Sequence, residues 1–344
     1  MDISIIIPVY KVEKYISRCI LSVMNQSCEN VQIECLIVDD CTPDNSIDII
    51  KGLISDYKGI VRFKILFHEK NLGLSAARNT GIKASTGRYL MFVDSDDYIT
   101  ENAVAKLWNA HLTNQDAELI IATYYSVKDS APFYNGVKKQ TNVDGRQLRE
   151  MLMNYQVTCN ACWRLIPRDL IIDNNLYFTQ GLLYEDILWC HRLFALIESA
   201  VVLPDVVYYY ENNPDSITNT TKEKAIRSVK SYTYNCGEML KNPYRDVYVD
   251  HQLYVLTFLM RAMDARRDYN VQGDVSKELD AVRRRLLLST FSEGRILLCL
   301  FFLIIYQPFY SLFNYRWFRS HYYRLESFVR HRANFLDRIF HKNN

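Results

Sequence analysis

Apolar and polar positions along the first hundred residues switch repeatedly between two periods. Ser4 to Val9 is an almost unbroken apolar run closed by Pro8, which predicts a buried strand. Glu13 to Asn25 places Ile16, Ile20, Val23 and Met24 on one face of a helix. Ile33 to Val38 predicts a second strand ended by Asp39-Asp40. The next helix carries Ile47, Ile50, Leu53 and Ile54, with Asp44 or Ser46 available to cap it. Val61 to Phe67, Leu74 to Ala84 and Tyr89 to Val93 continue as strand, helix and strand. Strands alternating with single helices predict a parallel sheet with right-handed crossovers.

Further along, a helix and a strand are expected between Ala103 and Tyr125, and Ala131 to Gly145 is turn-rich, a loop or hairpin. Arg146 to Tyr210 is mixed, with Glu185-Asp186 opening a helix through Ile197. Lys222 to Arg285 is helical, broken at Gly273. These patterns divide the chain into a body over 1–215 (a nucleotide-binding half, 1–100, and an acceptor half, 101–215), a helical extension over 216–290 and a tail over 291–344.

Composition narrows the class. The chain has 344 residues, 49% of them hydrophobic and 23% charged, which is globular rather than disordered. Lysine and arginine number 41 against 39 acidic residues, a net charge of +2 that argues against nucleic-acid binding. Nine cysteines lack a disulfide spacing and read as free thiols of a reducing compartment. Cys159 and Cys162 have a zinc-like separation but no partner pair, so they belong with the free thiols. His191 reads as structural. The tail alone changes character: Ile296 to Tyr306 is apolar, Gln307-Pro308 interrupts it, and the arginines and aromatic rings beyond suit docking on an anionic membrane surface. The apolar run is too short to span a bilayer. The expected location is cytoplasmic, on the inner face of the cell membrane.

In a parallel sheet, ligands gather at the carboxyl ends of the strands. Here those ends carry Tyr10, Asp39 and Asp40, His68 to Asn71, and Asp94-Ser95-Asp96-Asp97. Three carboxylates in four residues repel one another unless a cation sits among them, and a hard divalent ion accepts one or two carboxylates plus substrate phosphates. Tyr10 can stack on a base, and an aspartate at the second strand end can accept from a nucleobase or ribose. Gly73 allows a tight turn, and Ser75, Ala76 and Ala77 let a ligand approach the helix start, with Arg78 one turn in reaching for phosphates or nucleotide.

Together Ile5-Ile6-Ile7-Pro8-Val9-Tyr10, Val38-Asp39-Asp40, Asn71 to Asn79, Asp94-Ser95-Asp96-Asp97 and Glu185-Asp186 resemble the family 2 glycosyltransferases of the GT-A fold, over roughly residues 1 to 210. The resemblance implies an inverting, metal-dependent transfer of one sugar from a nucleotide-sugar donor, UDP-linked, to a saccharide or lipid-linked glycan acceptor in polysaccharide biosynthesis. Pro8, Tyr10, Asp40, Arg78, Asp94 and Ser95 would line the nucleotide, and Asp96 would bind Mn²⁺ or Mg²⁺. Asp186 would be the general base, with Glu185 as support or alternate base. A helix start favours the ionised form of Asp186, while Glu185 opposes it; the sequence leaves that contest open. Cys41-Thr42-Pro43 departs from the family's usual Gly-Ser-Thr, and no Gln-x-x-Arg-Trp signature of processive synthases is present. Two rivals are a nucleotidyltransferase, which would carry a glycine-rich basic loop after the first strand, and a catalytically inactive nucleotide-sugar-binding protein, which would not need Asp96 and Asp186.

Overall fold

The computed structural model describes residues 1–211, 213 and 221–292. The chain divides into two compact units, Met1–Thr218 and Asn219–Asn344. The expected tail lies outside the described residues from position 293 onward. Among the described residues, no helix is long and apolar enough to cross a membrane.

The first unit runs β1 (Ile3–Val9), α1 (Ile16–Met24), β2 (Ile33–Asp39), α2 (Ser46–Ile54), β3 (Val61–Phe67), α3 (Leu74–Ala84), β4 (Tyr89–Phe92), β5 (Tyr98–Ile99), α4 (Ala103–Thr113), β6 (Leu119–Ser126), β7 (Ala131–Pro132), β8 (Thr141–Asp144), α5 (Gly145–Met153), β9 (Arg164–Pro167), α6 (Arg168–Asp173), α7 (Glu185–Leu196) and β10 (Ser199–Tyr210). One mixed sheet orders the strands β3-β2-β1-β4-β9-β6-β10-β5. Strands β1 to β4 are parallel, as the alternation predicts, and β6 and β10 are parallel further out. Short β9 runs antiparallel to both β4 and β6 and joins the two parallel halves. The turn-rich stretch does not fold back on itself. Its β7 pairs with β6, and its β8 pairs with β10.

Register decides where the strand ends fall. Val9 lies opposite Asp39, and Asp39 opposite Phe67, so the chain leaves all three strands at one level. Strand β1 is wholly buried, which explains its unbroken apolar run. Pro8 is tolerated in this central strand because the Ile6 carbonyl takes the last bond from the β4 side, from Val93. Pro8, two residues on, faces that same side where β4 has ended, so its missing N–H leaves no gap in the ladder.

Helix α3 lies tight on β1: a Cβ at Gly81 would come within 2.4 Å of the Ile6 side chain. Its start is set by Gly73 at φ +90°. Helix α1 begins at Ile16 rather than near Glu13, whose carboxylate instead accepts from the backbone and side chain of Asn45. At α2, Asp44 does the capping work from outside the helix, accepting from the amide and hydroxyl of Ser46.

The second unit contains α8 (Lys222–Lys241), α9 (Tyr248–Asp268) and α10 (Asp274–Ser292). The expected break at Gly273 is present, at φ +83°, and a second one falls between α8 and α9. Helix α9 is buried nearly all round through Met263 and forms the core of this unit, with Tyr232 stacked on Phe258 and Tyr254 edge-on to it.

Candidate active site

The strand ends deliver their polar residues to one edge, where loops lock them in place. Asp40 is 2% exposed, and its carboxylate is turned inward. Oδ1 accepts from the Leu72 amide at 2.8 Å and pairs with His68 Nδ1 at 2.7 Å, while Oδ2 accepts from the Gly73 amide at 2.7 Å. His68 is held from its other side by Thr80 Oγ1 at 2.8 Å. Asp40 therefore anchors the 68–73 loop, and these bonds leave one acceptor position on Oδ2. Tyr10 stands 40% exposed beside it, with Lys11 5.3 Å from its ring centre. Pro8 is buried in the strand before it.

The turn 39–44 is tied down by Asp39, which accepts from the Thr42 amide, and by Thr42, whose hydroxyl accepts from the Lys11 amide and donates to Asp44. Cys41 takes φ +55° there, the backbone region that glycine enters without cost. The chain meets that conformation with a cysteine where the resemblance implies a glycine.

The acidic turn after β4 splits its carboxylates three ways. Asp97 is buried and structural: Oδ2 accepts from the Tyr208 hydroxyl at 2.6 Å and Oδ1 from the Glu211 amide at 2.8 Å. The same Tyr208 hydroxyl accepts from the Asp94 amide at 3.1 Å, so one side chain of β10 pins both ends of the turn. Asp94 Oδ1 accepts from Arg78 Nη2 at 2.6 Å. Ser95 is buried between them in the chain. Asp96 has Asn213 as its hydrogen-bond partner, 2.9 Å from Oδ2, and no ion-pair partner among the described residues. Burial first, and the Asp94 charge second, push its carboxyl above the usual range.

Helix α7 opens on Glu185 and Asp186 after Tyr184, which sits in the left-handed region at φ +56°. Glu185 is buried, and Oε1 accepts from Arg78 Nη1 at 2.5 Å. Asp186 is half-buried, and its carboxyl is pushed up to about 7, by burial first and by the Glu185 charge second, against the pull of Arg78 and Arg164. The contest left open in the sequence thus goes against the helix start. Arg164 of β9 is fully buried nearby, donating to the carbonyls of Thr158 and Asn160 and to Cys190 Sγ.

Arg78 joins the two acidic centres. It is 1% exposed, with its guanidinium turned to the two carboxylates. Its charge is held by Asp94 and Glu185, which outweigh the effect of burial. Asn79 makes a second tie, exchanging both hydrogen bonds with the backbone of Phe178 at 2.8 and 2.9 Å. Phe178 stacks on Trp189 of α7 at 4.5 Å.

Sequence reasoning missed Tyr208, which read only as part of a strand end, and Asn213. No local signal links Tyr208 to Asp97 across 111 positions; only the pairing of β10 with β5 brings them together. The eight described cysteines form no disulfide, and His191 is buried in α7. No group of three or more metal-ligating side chains converges among the described residues. The unneutralised Asp96 nonetheless has the chemistry of a hard-cation ligand, since such ions complete their shells with substrate phosphates.

A central sheet of this topology with helices on its faces and paired acidic centres at its carboxyl edge is a GT-A architecture. Residues 4–174 match the family described as Glycosyl transferase family 2, and the chain belongs to that family and is a glycosyltransferase. It is similar to the uncharacterized glycosyltransferase EpsJ of Bacillus subtilis, 29% identical over 318 residues, 86% of this chain and 89% of EpsJ. The poly(ribitol-phosphate) beta-glucosyltransferase of Bacillus spizizenii is 39% identical over 211 residues, 61% of this chain; the match spans about a third of that relative's length, 32%. In fold, the chain resembles a fragment of S. aureus TarS in complex with UDP, with a TM-score of 0.69 at 20% identity over 94% of this chain and 92% of that one.

Proposed function

We propose that the chain moves one sugar from a UDP-linked donor to a hydroxyl of a saccharide or lipid-linked glycan, with inversion at C1, in the assembly of a surface polysaccharide. The observation that carries this reading is the meeting of two acidic centres on a single guanidinium: Arg78 reaches Asp94 with one nitrogen and Glu185 with the other. A donor end and an acceptor end are thereby set one side chain apart. The bound UDP of the TarS structure supports the choice of nucleotide.

Tyr10 offers a face for the uracil and Asp40 Oδ2 an acceptor for its imide N–H. Asp96, with Asp94 beside it, would hold Mn²⁺ or Mg²⁺ on the diphosphate, and the ion would stabilise the charge that develops on the leaving group. The chain's own proton chemistry falls to Asp186. Its carboxylate takes the proton of the acceptor hydroxyl as that oxygen attacks C1; the C1–O bond to the diphosphate breaks, and UDP leaves. Attack opposite the leaving group inverts the anomeric centre. Glu185 is committed to Arg78, which leaves the base role to Asp186. Action on the inner face of the cell membrane, through the basic and aromatic tail, belongs to the same proposal.

A thermal-shift screen tests the donor. UDP-sugars with Mn²⁺ should raise the melting temperature, and a chelator should remove most of that gain, because a ligand of the folded state stabilises by mass action. Stabilisation by guanine or cytosine nucleotides alone, or full transfer activity in excess chelator, would overturn the reading.

A further inference from the structure

Aromatic rings gather where β6 and β10 end, across the acidic turn from β1 to β3. Tyr208 and Tyr210 are two positions apart on β10 and so point to the same side of the sheet. Tyr124 of β6 lies opposite Tyr208 in register. Its ring stacks on Trp163 at 4.4 Å and on Phe133 at 5.2 Å, and meets Tyr210 edge-on at 6.1 Å. Trp163 in turn stands 5.1 Å from the Tyr208 ring. Tyr208 is the residue that clamps Asp94 and Asp97, and the amide that follows Tyr210 also bonds Asp97, so this wall starts at the acidic turn itself. Its outer end is open: Tyr210 is 41% exposed, and Tyr124 and Phe133 are half-buried. Among the described residues, the hydroxyls of Tyr124 and Tyr210 make no hydrogen bond. The other side of the same strands is finished differently. There Tyr209 stacks on Tyr98 at 4.6 Å, and Arg18 covers Tyr98 at 4.2 Å and pairs with Glu211.

We propose that Tyr210 and Tyr124, backed by Trp163 and Phe133, form an acceptor subsite that takes one face of a pyranose ring. The inference rests on the reading of the chain as a sugar transferase with its nucleotide at the ends of β1 and β2. A pyranose presents C–H groups on its faces and hydroxyls around its rim. Aromatic rings match the faces, and the two tyrosine hydroxyls match the rim, the pairing of apolar wall and few polar groups that small-molecule sites use. Position selects the acceptor over the donor. Tyr10 and Asp40 follow β1 and β2, and the sheet order sets β4 and its acidic turn between them and the strands that carry the wall. A nucleotide on one side of that turn leaves the other side to the second substrate. Among the described residues no lysine or arginine lies over these rings, so the wall suits an uncharged sugar rather than a phosphate. Stacking already fixes the Tyr124 ring from two sides, so little ordering is left to pay on binding.

Saturation-transfer NMR on the full chain with UDP and Mn²⁺ tests this. The probes are the methyl β-pyranosides of glucose, galactose and N-acetylglucosamine, with ribitol as an acyclic control. At least one pyranoside should bind, with the strongest transfer at the protons of one ring face, and ribitol should not. Tyr210→Ala should weaken that binding by about three- to tenfold. Tyr210→Trp should keep it, and UDP affinity by calorimetry should stay within about twofold in both variants. Transfer to none of the three pyranosides, equal transfer to ribitol, or pyranoside binding unchanged in Tyr210→Ala would each overturn the proposal. So would a Tyr210→Ala protein that loses affinity for UDP-glucose or UDP-N-acetylglucosamine while keeping UDP, because the wall would then hold the donor's own sugar. The two readings fail separately: a chain that binds no UDP yet takes a pyranoside through Tyr210 keeps the wall and sinks the donor assignment.

Discussion

In the proposed reaction Asp186 is the base, and its carboxyl is pushed up to about 7 by burial and by Glu185. A base with that proton affinity is better matched to an alcohol than an ordinary aspartate, yet only its ionised form can act. Activity should therefore rise through an acid limb near pH 7 and level off above it, and kcat/KM against pH checks this. Replacing the carboxylate by an amide in Asp186→Asn should cost about 10²- to 10⁴-fold in kcat, the usual worth of general-base catalysis, with UDP affinity preserved. Glu185→Gln should also slow turnover, but through the slackened Arg78 contact, and its acid limb should move to lower pH because the repelling charge is gone.

The turns at this edge hold three of the nine described non-glycine residues with positive φ. Lys11, Cys41 and Tyr184 take positive φ at the ends of β1 and β2 and before α7. Such strain persists only where surrounding contacts over-determine it, and it concentrates at functional sites. Another turn of this edge, 94–97, is held by the clamp from β10. Tyr208→Phe keeps the ring but removes the hydroxyl shared by Asp97 and Asp94, so we expect a loss of about 1–3 kcal/mol, read by denaturant unfolding, and weaker UDP binding with Mn²⁺ from a loosened turn.

Legibility follows from the same geometry. Strands β1, β2 and β4 could be read because they are buried apolar runs, and β3 because its apolar residues alternate with Arg62 and Lys64; single helices separate all four, so the local pattern and the topology agree. Short β9, with four residues, and the two-residue β5 and β7 carry no periodic signal, and their pairing is decided by long-range neighbours. Among site residues, Asp94, Asp96, Glu185 and Asp186 stood out because carboxylates cluster in the sequence itself. The inward turn of Asp40 and the bridging position of Arg78 could not be read, because they depend on partners 16 to 107 positions away.

At the scale of the whole chain, the second unit carries an acid sensitivity of its own. His251 is fully buried in α9, and burial pushes its imidazole down to about 3. In the unfolded chain it takes up a proton below about pH 6.5. The folded state refuses that proton until pH approaches 3, so stability falls as pH drops through this window. At pH 5 the loss from this group is about 2 kcal/mol. Melting temperatures at pH 7.5 and pH 5 should show the drop, and His251→Gln should shrink it. A drop unchanged in that variant would place the acid sensitivity elsewhere.

The division of labour between the two acidic centres is most directly tested by calorimetric titration of UDP into the wild type, Asp96→Ala and Asp186→Asn, each with Mn²⁺ and with a chelator. The account predicts that the wild type and Asp186→Asn bind UDP equally with Mn²⁺, and that both weaken when the ion is removed. Asp96→Ala should bind weakly under both conditions. UDP binding by Asp96→Ala that matches the wild type in Mn²⁺ would contradict the account, as would a loss of UDP binding in Asp186→Asn.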